Sequence, residues 1–334
     1  MKTLFITCFI AANFVFLYGQ RNDINGGPIN SRNETGIIDG VYLSTHTPTK
    51  RLIPYEHVRE ADVIWSKRVW RTIDLREKIN HPLYFPLDEY DADGNWVRNS
   101  SRWSLWTVIK HHILAGDLTV YCPYNPASER IRDGDEFKYP VLPEPGLDYY
   151  TDSVYRATIF ERKFLGYSME SEEILSNMYG EDSLDETGSP VYMPDDTTWY
   201  TSKDVVQYRI KEDWFFDKER SVLDVRIIGL APVVYRIDPI TKGVNGAEEL
   251  FWLYFPTDCR YVFNNYFLYN DKNDAQWMSF DDFFWKRRFS SFIHKENNVY
   301  DRDIRTYEVG VDALMESKRI TEEIRLIEHD VWNF

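Results

Sequence analysis

Beyond Leu17 the chain has no apolar run approaching the ~20 residues that a membrane-spanning helix needs, so the exported protein is expected to be soluble. Basic residues are outnumbered: 39 Lys and Arg face 54 Asp and Glu, a net charge of −15. That balance argues against nucleic acid and anionic lipid as partners and favours a basic partner or a locally basic interface. Histidine is scarce, at seven. His111 and His112 are adjacent and point some 100° apart on a helix, so they cannot chelate one ion as an i, i+4 pair does. No glycine-rich phosphate loop is present, and Gly180-Glu181-Asp182-Ser183-Leu184 lacks the second glycine of a nucleophile elbow. Asp91-Ala92-Asp93-Gly94-Asn95 puts glycine at the fourth position of a would-be calcium loop and Arg102 at the twelfth, which leaves a turn. No cofactor, metal site or catalytic residue is expected.

Cysteine is also rare. Of three, Cys8 lies inside the first apolar run, without the small residues that precede a lipidation cysteine. Cys122 and Cys259 remain, either as a disulfide in an oxidising compartment or as two buried free thiols.

What is abundant is aromatic surface, 16% of all residues, with 11 Trp and 23 Tyr. Together with many carboxylates it could build the saccharide cleft of a secreted carbohydrate-binding protein or glycoside hydrolase. The same composition suits a wet assembly interface. Met1-Lys2, the apolar run Leu4 to Leu17 and Tyr18-Gly19-Gln20 read as a signal peptide over residues 1–19. Residues 20–50, with Gly26-Gly27, Pro28 and Pro48, read as an extended polar arm, either disordered or laid along a neighbouring subunit. Residues 51–334 are expected to form a single α+β domain.

From Val58 to Asn80 the periodicity predicts a helix, because Val58, Ala61, Trp65, Val69 and Ile73 share a stripe about 120° wide. Lys67, Arg71 and Lys78 would then form a basic ridge on the opposite side, either a solvated face or a docking surface for an acidic partner. The run from Arg59 to Pro86, which includes Ala61-Asp62-Val63-Ile64-Trp65-Ser66-Lys67-Arg68-Val69-Trp70, resembles the GldN/PorN family of gliding-motility and type IX secretion proteins. The resemblance implies a periplasmic structural subunit without enzymatic activity. It would assemble with an outer-membrane lipoprotein of the GldK or PorK type, and with neighbouring copies of itself, into a ring reachable by a GldL/GldM-like motor complex. That places the protein in the periplasm, peripheral to the outer membrane.

Further along, a helix capped by Ser100 or Ser101 is expected through Trp103, Trp106, Val108, Ile109 and Ile113, ending near Gly116. Thr119 to Pro123 and Ser153 to Leu165 read as strands, and Met169 to Asn177 as a short helix. Val205 to Phe216 and Ser221 to Asp238 read as a hairpin, with a further strand from Glu249 to Phe255. Ser279 and Asp282 open a helix carrying Phe280, Phe283, Phe284, Trp285, Phe289, Phe292 and Ile293, aromatic around most of its circumference. Such a helix is either central to the core or shared with a partner, which makes Phe283, Trp285, Phe289 and Phe292 candidate interface residues. A last helix runs from about Asp312 to His329. The expected architecture is a central antiparallel sheet or meander packed by N-terminal and C-terminal helices.

Overall fold

The computed structural model describes residues 51–331 apart from 100–101, 129–130, 145, 148–150, 170–195, 238–243, 271–272 and 274–277. The signal segment, the arm and the Met169–Asn177 helix lie outside the described residues, wholly or almost so.

In chain order the elements are β1 (Val63–Asp74), α1 (His81–Tyr84), β2 (Glu89–Tyr90), β3 (Trp96–Val97), α2 (Leu105–Ala115), β4 (Val120–Tyr121), β5 (Pro140–Val141), α3 (Ser153–Glu161), β6 (Gly166–Met169), β7 (Asp196–Trp199), β8 (Val205–Asp217), β9 (Val222–Ile237), β10 (Val244–Glu249), β11 (Trp252–Tyr254), α4 (Arg260–Phe263), β12 (Phe267–Leu268), β13 (Met278–Ser279), α5 (Phe280–Trp285), β14 (Phe292–Glu296) and α6 (Val311–Val331). An antiparallel sheet in the order β14-β1-β8-β9-β11-β4-β5, with β10 also pairing β9, forms the frame. The fold class is α+β, as expected. The long β8–β9 hairpin is where the β-branched runs placed it.

The segment from Val58 to Asn80 is a correction: it is not a helix, and most of it forms β1. Trp65, Val69 and Ile73 are four residues apart, a spacing that keeps side chains on one face of a helix and equally on one face of a strand. β1 lies between β14 and β8 and is buried on both faces towards its end, where Val69 to Asp74 show only Arg71 partly exposed. A strand covered on two sides loses the polar–apolar alternation that would distinguish it. Its composition of Val, Ile, Thr and Trp suits that position.

Three further expectations change. Ser153 to Glu161 is the helix α3, because the Asp152 carboxylate accepts hydrogen bonds from the amides of Val154 (2.9 Å) and Tyr155 (3.0 Å) and so caps it. Tyr155 and Ile159, one turn apart, are its buried pair. The aromatic helix begins as expected, with Ser279 Oγ accepting from the Asp282 amide, but it stops at Trp285. Arg287 takes a left-handed φ of 50°, and Phe292 and Ile293 belong to the strand β14. Ser104, rather than Ser100 or Ser101, caps α2 by accepting from Thr107 N, and Gly116 ends it at φ 84°.

The larger core lies between the sheet and α2, α3, α4 and α5, and includes Ile73, Trp106, Ile109, Ile210, Leu230, Phe251, Phe263 and Phe284. A second cluster forms where α6 lays Ile320 and Ile324 over Val69 and Ile293. On the opposite face, Trp70, Ala231 and Trp252 pack with Phe137. Gly134 makes this possible, since a Cβ there would meet Cys122 O at 2.2 Å. The two ends of the main strand order are blunted. β5 is short and holds a proline, while on β14 the Ile293 amide donates to Ser317 Oγ (2.8 Å) and Lys295 bridges to Asp303.

Replacing Ile73 or Ile320 by Ala should each cost about 2–5 kcal/mol in denaturant unfolding, since both side chains are fully enclosed. Leu326→Ala, on the exposed side of α6, should stay within about 0.5 kcal/mol.

Candidate interaction surface

The three basic residues expected to form a ridge are not brought together. Lys67 and Arg71 project to the same face as Trp65, Val69 and Ile73, beneath α6, because all five occupy alternate positions of one strand. Lys67 pairs with Glu296 of β14 at 2.6 Å. Arg71 donates to Thr321 Oγ1 of α6 at 3.4 Å, and burial lowers its pKa. Only Lys78, in the 3-10 turn Lys78–Asn80, is exposed.

Beside Arg71 lies the fully buried Glu212, held by Arg287 through two bonds of 2.8 and 3.1 Å and by Trp214 Nε1 at 3.1 Å. Its charge opposes the burial effect on Arg71. A carboxylate this deep survives only because its acceptors are filled and a cation faces it. Arg71→Glu would set a second negative charge under α6, and it should destabilise the monomer by several kcal/mol in thermal unfolding. Lys78→Glu should change stability by less than about 0.5 kcal/mol.

The aromatic segment resolves largely into core. Phe283 and Phe289 are buried and pack with Phe284 at centroid distances between 5.7 and 6.2 Å. Phe292 is partly buried on β14. Only Trp285 of the four is exposed, and it stacks on Tyr55 with centroids 5.4 Å apart. Tyr55 belongs to an extended strap ahead of β1. The buried Arg260 holds that strap by donating to Ile53 O (2.7 Å), while bonding Asp281 (2.9 and 3.3 Å) and lying 4.3 Å from the Tyr55 ring. Arg226 donates to Glu56 O and Arg220 pairs with the Glu56 carboxylate. Burial pushes the Tyr55 phenol up to about 12. Much of the aromatic content that suggested a saccharide cleft is therefore spent inside the fold.

Cys122 and Cys259 are free thiols, both buried. Burial raises the Cys259 thiol well above its ordinary range, and Cys122 Sγ accepts from Arg162 Nη1 at 3.3 Å. His112 bonds Asp117 and Tyr266 through its two ring nitrogens (2.7 and 2.8 Å), a structural role. Among the described residues no group of three or more His, Cys, Asp or Glu could hold a metal ion.

Sequence reasoning missed Lys110, which is wholly enclosed on α2. Its ammonium lies 4.6, 4.9 and 5.0 Å from the rings of Tyr90, Trp96 and Trp199 and donates to Tyr200 O at 2.7 Å. The cation fastens the β2–β3 hairpin to the helix. Burial pulls its pKa down to about 7, against the opposing pull of Asp88 and Asp204. Because the folded value lies below the unfolded one, the unfolded chain binds the extra proton between about pH 7 and 10.5. Stability should therefore rise with pH across that window, and the full cost is present below it. Comparing unfolding of the wild type with Lys110→Met across that range should show the slope attenuated in the variant.

Also missed was the apolar face at the start of α6. Val309, Val311, Leu314 and Met315 are 81, 72, 50 and 60% exposed. Val309 and Leu314 also line a groove of about 440 Å³ with Phe292, Ile293, Ile304 and Ala313. The available signal was that Val311, Leu314 and Met315 fall off the stripe of Ala313, Ile320 and Ile324. Contiguous exposed apolar surface of this kind marks contact with another macromolecule.

Sheet, strap and the exposed apolar residues at the start of α6 together define an α+β protein. Residues 58–333 match the family model described as Gliding motility associated protein GldN, and the chain belongs to that family. Membership makes it a component of the gliding-motility and type IX secretion machinery. No curated protein matches it, and no helix among the described residues is long and apolar enough to cross a membrane.

Proposed function

We propose that the chain is a non-enzymatic periplasmic subunit that assembles with an outer-membrane lipoprotein of the GldK or PorK type, and with copies of itself, into a ring-shaped scaffold. The lipoprotein tethers it peripherally to the outer membrane, and the ring passes contact to a motor complex of the GldL/GldM kind. Family membership supports the machinery, and the observation that carries the assembly reading is the exposed face of Val309, Val311, Leu314 and Met315. Side chains left half to four-fifths exposed forgo a corresponding part of the roughly 1.5–3 kcal/mol that full burial gives each, a free energy recovered when a partner covers them. Lys67 and Arg71, already engaged beneath α6, are replaced in this reading by the apolar face.

Co-expression with the lipoprotein followed by light scattering should give a stoichiometric high-mass complex. Leu314→Asp with Met315→Asp should weaken association by several kcal/mol while the melting temperature holds, since neither side chain is in the core. Two monomeric, unassociated proteins at micromolar concentration would overturn the reading.

A further inference from the structure

A cavity of about 470 Å³ opens between the chain that follows β4, the end of α3 and the β9–β10 hairpin. Four cations line it: Arg132, Arg162, Lys163 and Arg236. In a chain of net charge −15, four basic side chains around one concavity run against the overall balance. None of the four forms an ion pair among the described residues, and the contact of Arg162 is the Cys122 sulfur.

The acids that could neutralise them are partly occupied. Glu249 pairs with Arg209, and Glu248 accepts from Tyr124 Oη. Glu161 completes the lining. A helix C-terminus accounts for Arg162 and Lys163 beside α3, but not for Arg132 and Arg236, which come from other elements. Lys163 is moreover held at a left-handed φ of 56°. Bonds from its own amide to Phe160 O (3.0 Å) and from Phe164 N to Ile159 O (2.9 Å) fix that conformation. That pair of bonds is the usual left-handed end of a helix, and it carries Lys163 from the end of α3 onto the pocket wall.

We propose that this pocket binds an acidic peptide segment of a protein partner, its carboxylates taken by Arg132, Arg162, Lys163 and Arg236. The four cations come from three separate segments, the chain after β4, the end of α3 and β9. Carboxylates spaced along a peptide can reach them, and the remaining acceptor capacity of Glu248 suits peptide N–H donors. The proposal does not depend on a ring: it concerns a different surface from the apolar face at α6.

The test uses the exported chain and fluorescence anisotropy of a labelled hexaglutamate peptide at about 50 mM salt, where charge contacts are least screened. Saturable binding that weakens as salt rises is expected. The triple variant Arg162→Glu, Lys163→Glu, Arg236→Glu should lower affinity at least about tenfold with an unchanged melting temperature. A control triple of equal charge change, Arg51→Glu, Lys78→Glu, Lys318→Glu, should lower it far less. Absence of saturable binding overturns the proposal, as does equal weakening by the control. Complete displacement of the peptide by millimolar inorganic phosphate would make the site a phosphate site instead. Binding to phosphatidylglycerol vesicles lost in the pocket variant, without peptide binding, would make it a lipid site; either result overturns the peptide reading.

Discussion

The structure depends on covering β1 from both sides. As an inner strand between β14 and β8 it presents one face to α6 and the adjoining core, and the other to the chain around Asp135 and Phe137. Each face carries charge that must be answered in place. Beneath α6 the answer is Arg71 with Glu212 and Arg287. On the other face, Lys211 donates to Asp135 O and Oδ2 (2.7 and 3.1 Å), and Trp70 Nε1 donates to the same carboxylate at 3.0 Å. Paired charges of this kind add little net stability over an apolar core, but breaking one partner is expensive. They fix register, because a one-residue slip of β1 would exchange every such group between the two faces.

How much of this could be read from the residues varied with how local the cause was. The β8–β9 hairpin, the Asp93-Gly94 turn, the start of α5 at Ser279 and the end of α2 at Gly116 all follow from neighbours in sequence, and all are present. Failures came where the deciding partner was distant. Trp65, Val69 and Ile73 satisfied a helical period, and only the flanking strands β14 and β8 decide otherwise. Ser153 to Glu161 is the exception, since its composition suits a strand while the deciding group, the Asp152 cap, is its immediate neighbour.

The candidate surface was less legible than the fold. Lys67 and Arg71 were noticed for their charge, yet their placement follows from β1 being a strand. Phe283 and Phe289 were noticed for their size, which took them into the core. The residues left outside, Val309, Val311, Leu314 and Met315, are ordinary in sequence and become conspicuous only when α6 commits its other side to Val69 and Ile293. Lys110 gave no signal at all, since its ring partners come from three separate strands and turns.

The blunted edges of the sheet carry a consequence for growth. With a proline in β5 at one border and β14 engaged by Ser317 and Asp303 at the other, neither of these strands extends its ladder into a second molecule, and β10, paired with β9 alone among the described residues, is the border strand left. Where copies of this chain meet through side chains, the curvature of the object they build is written in the angles between rigid surface patches.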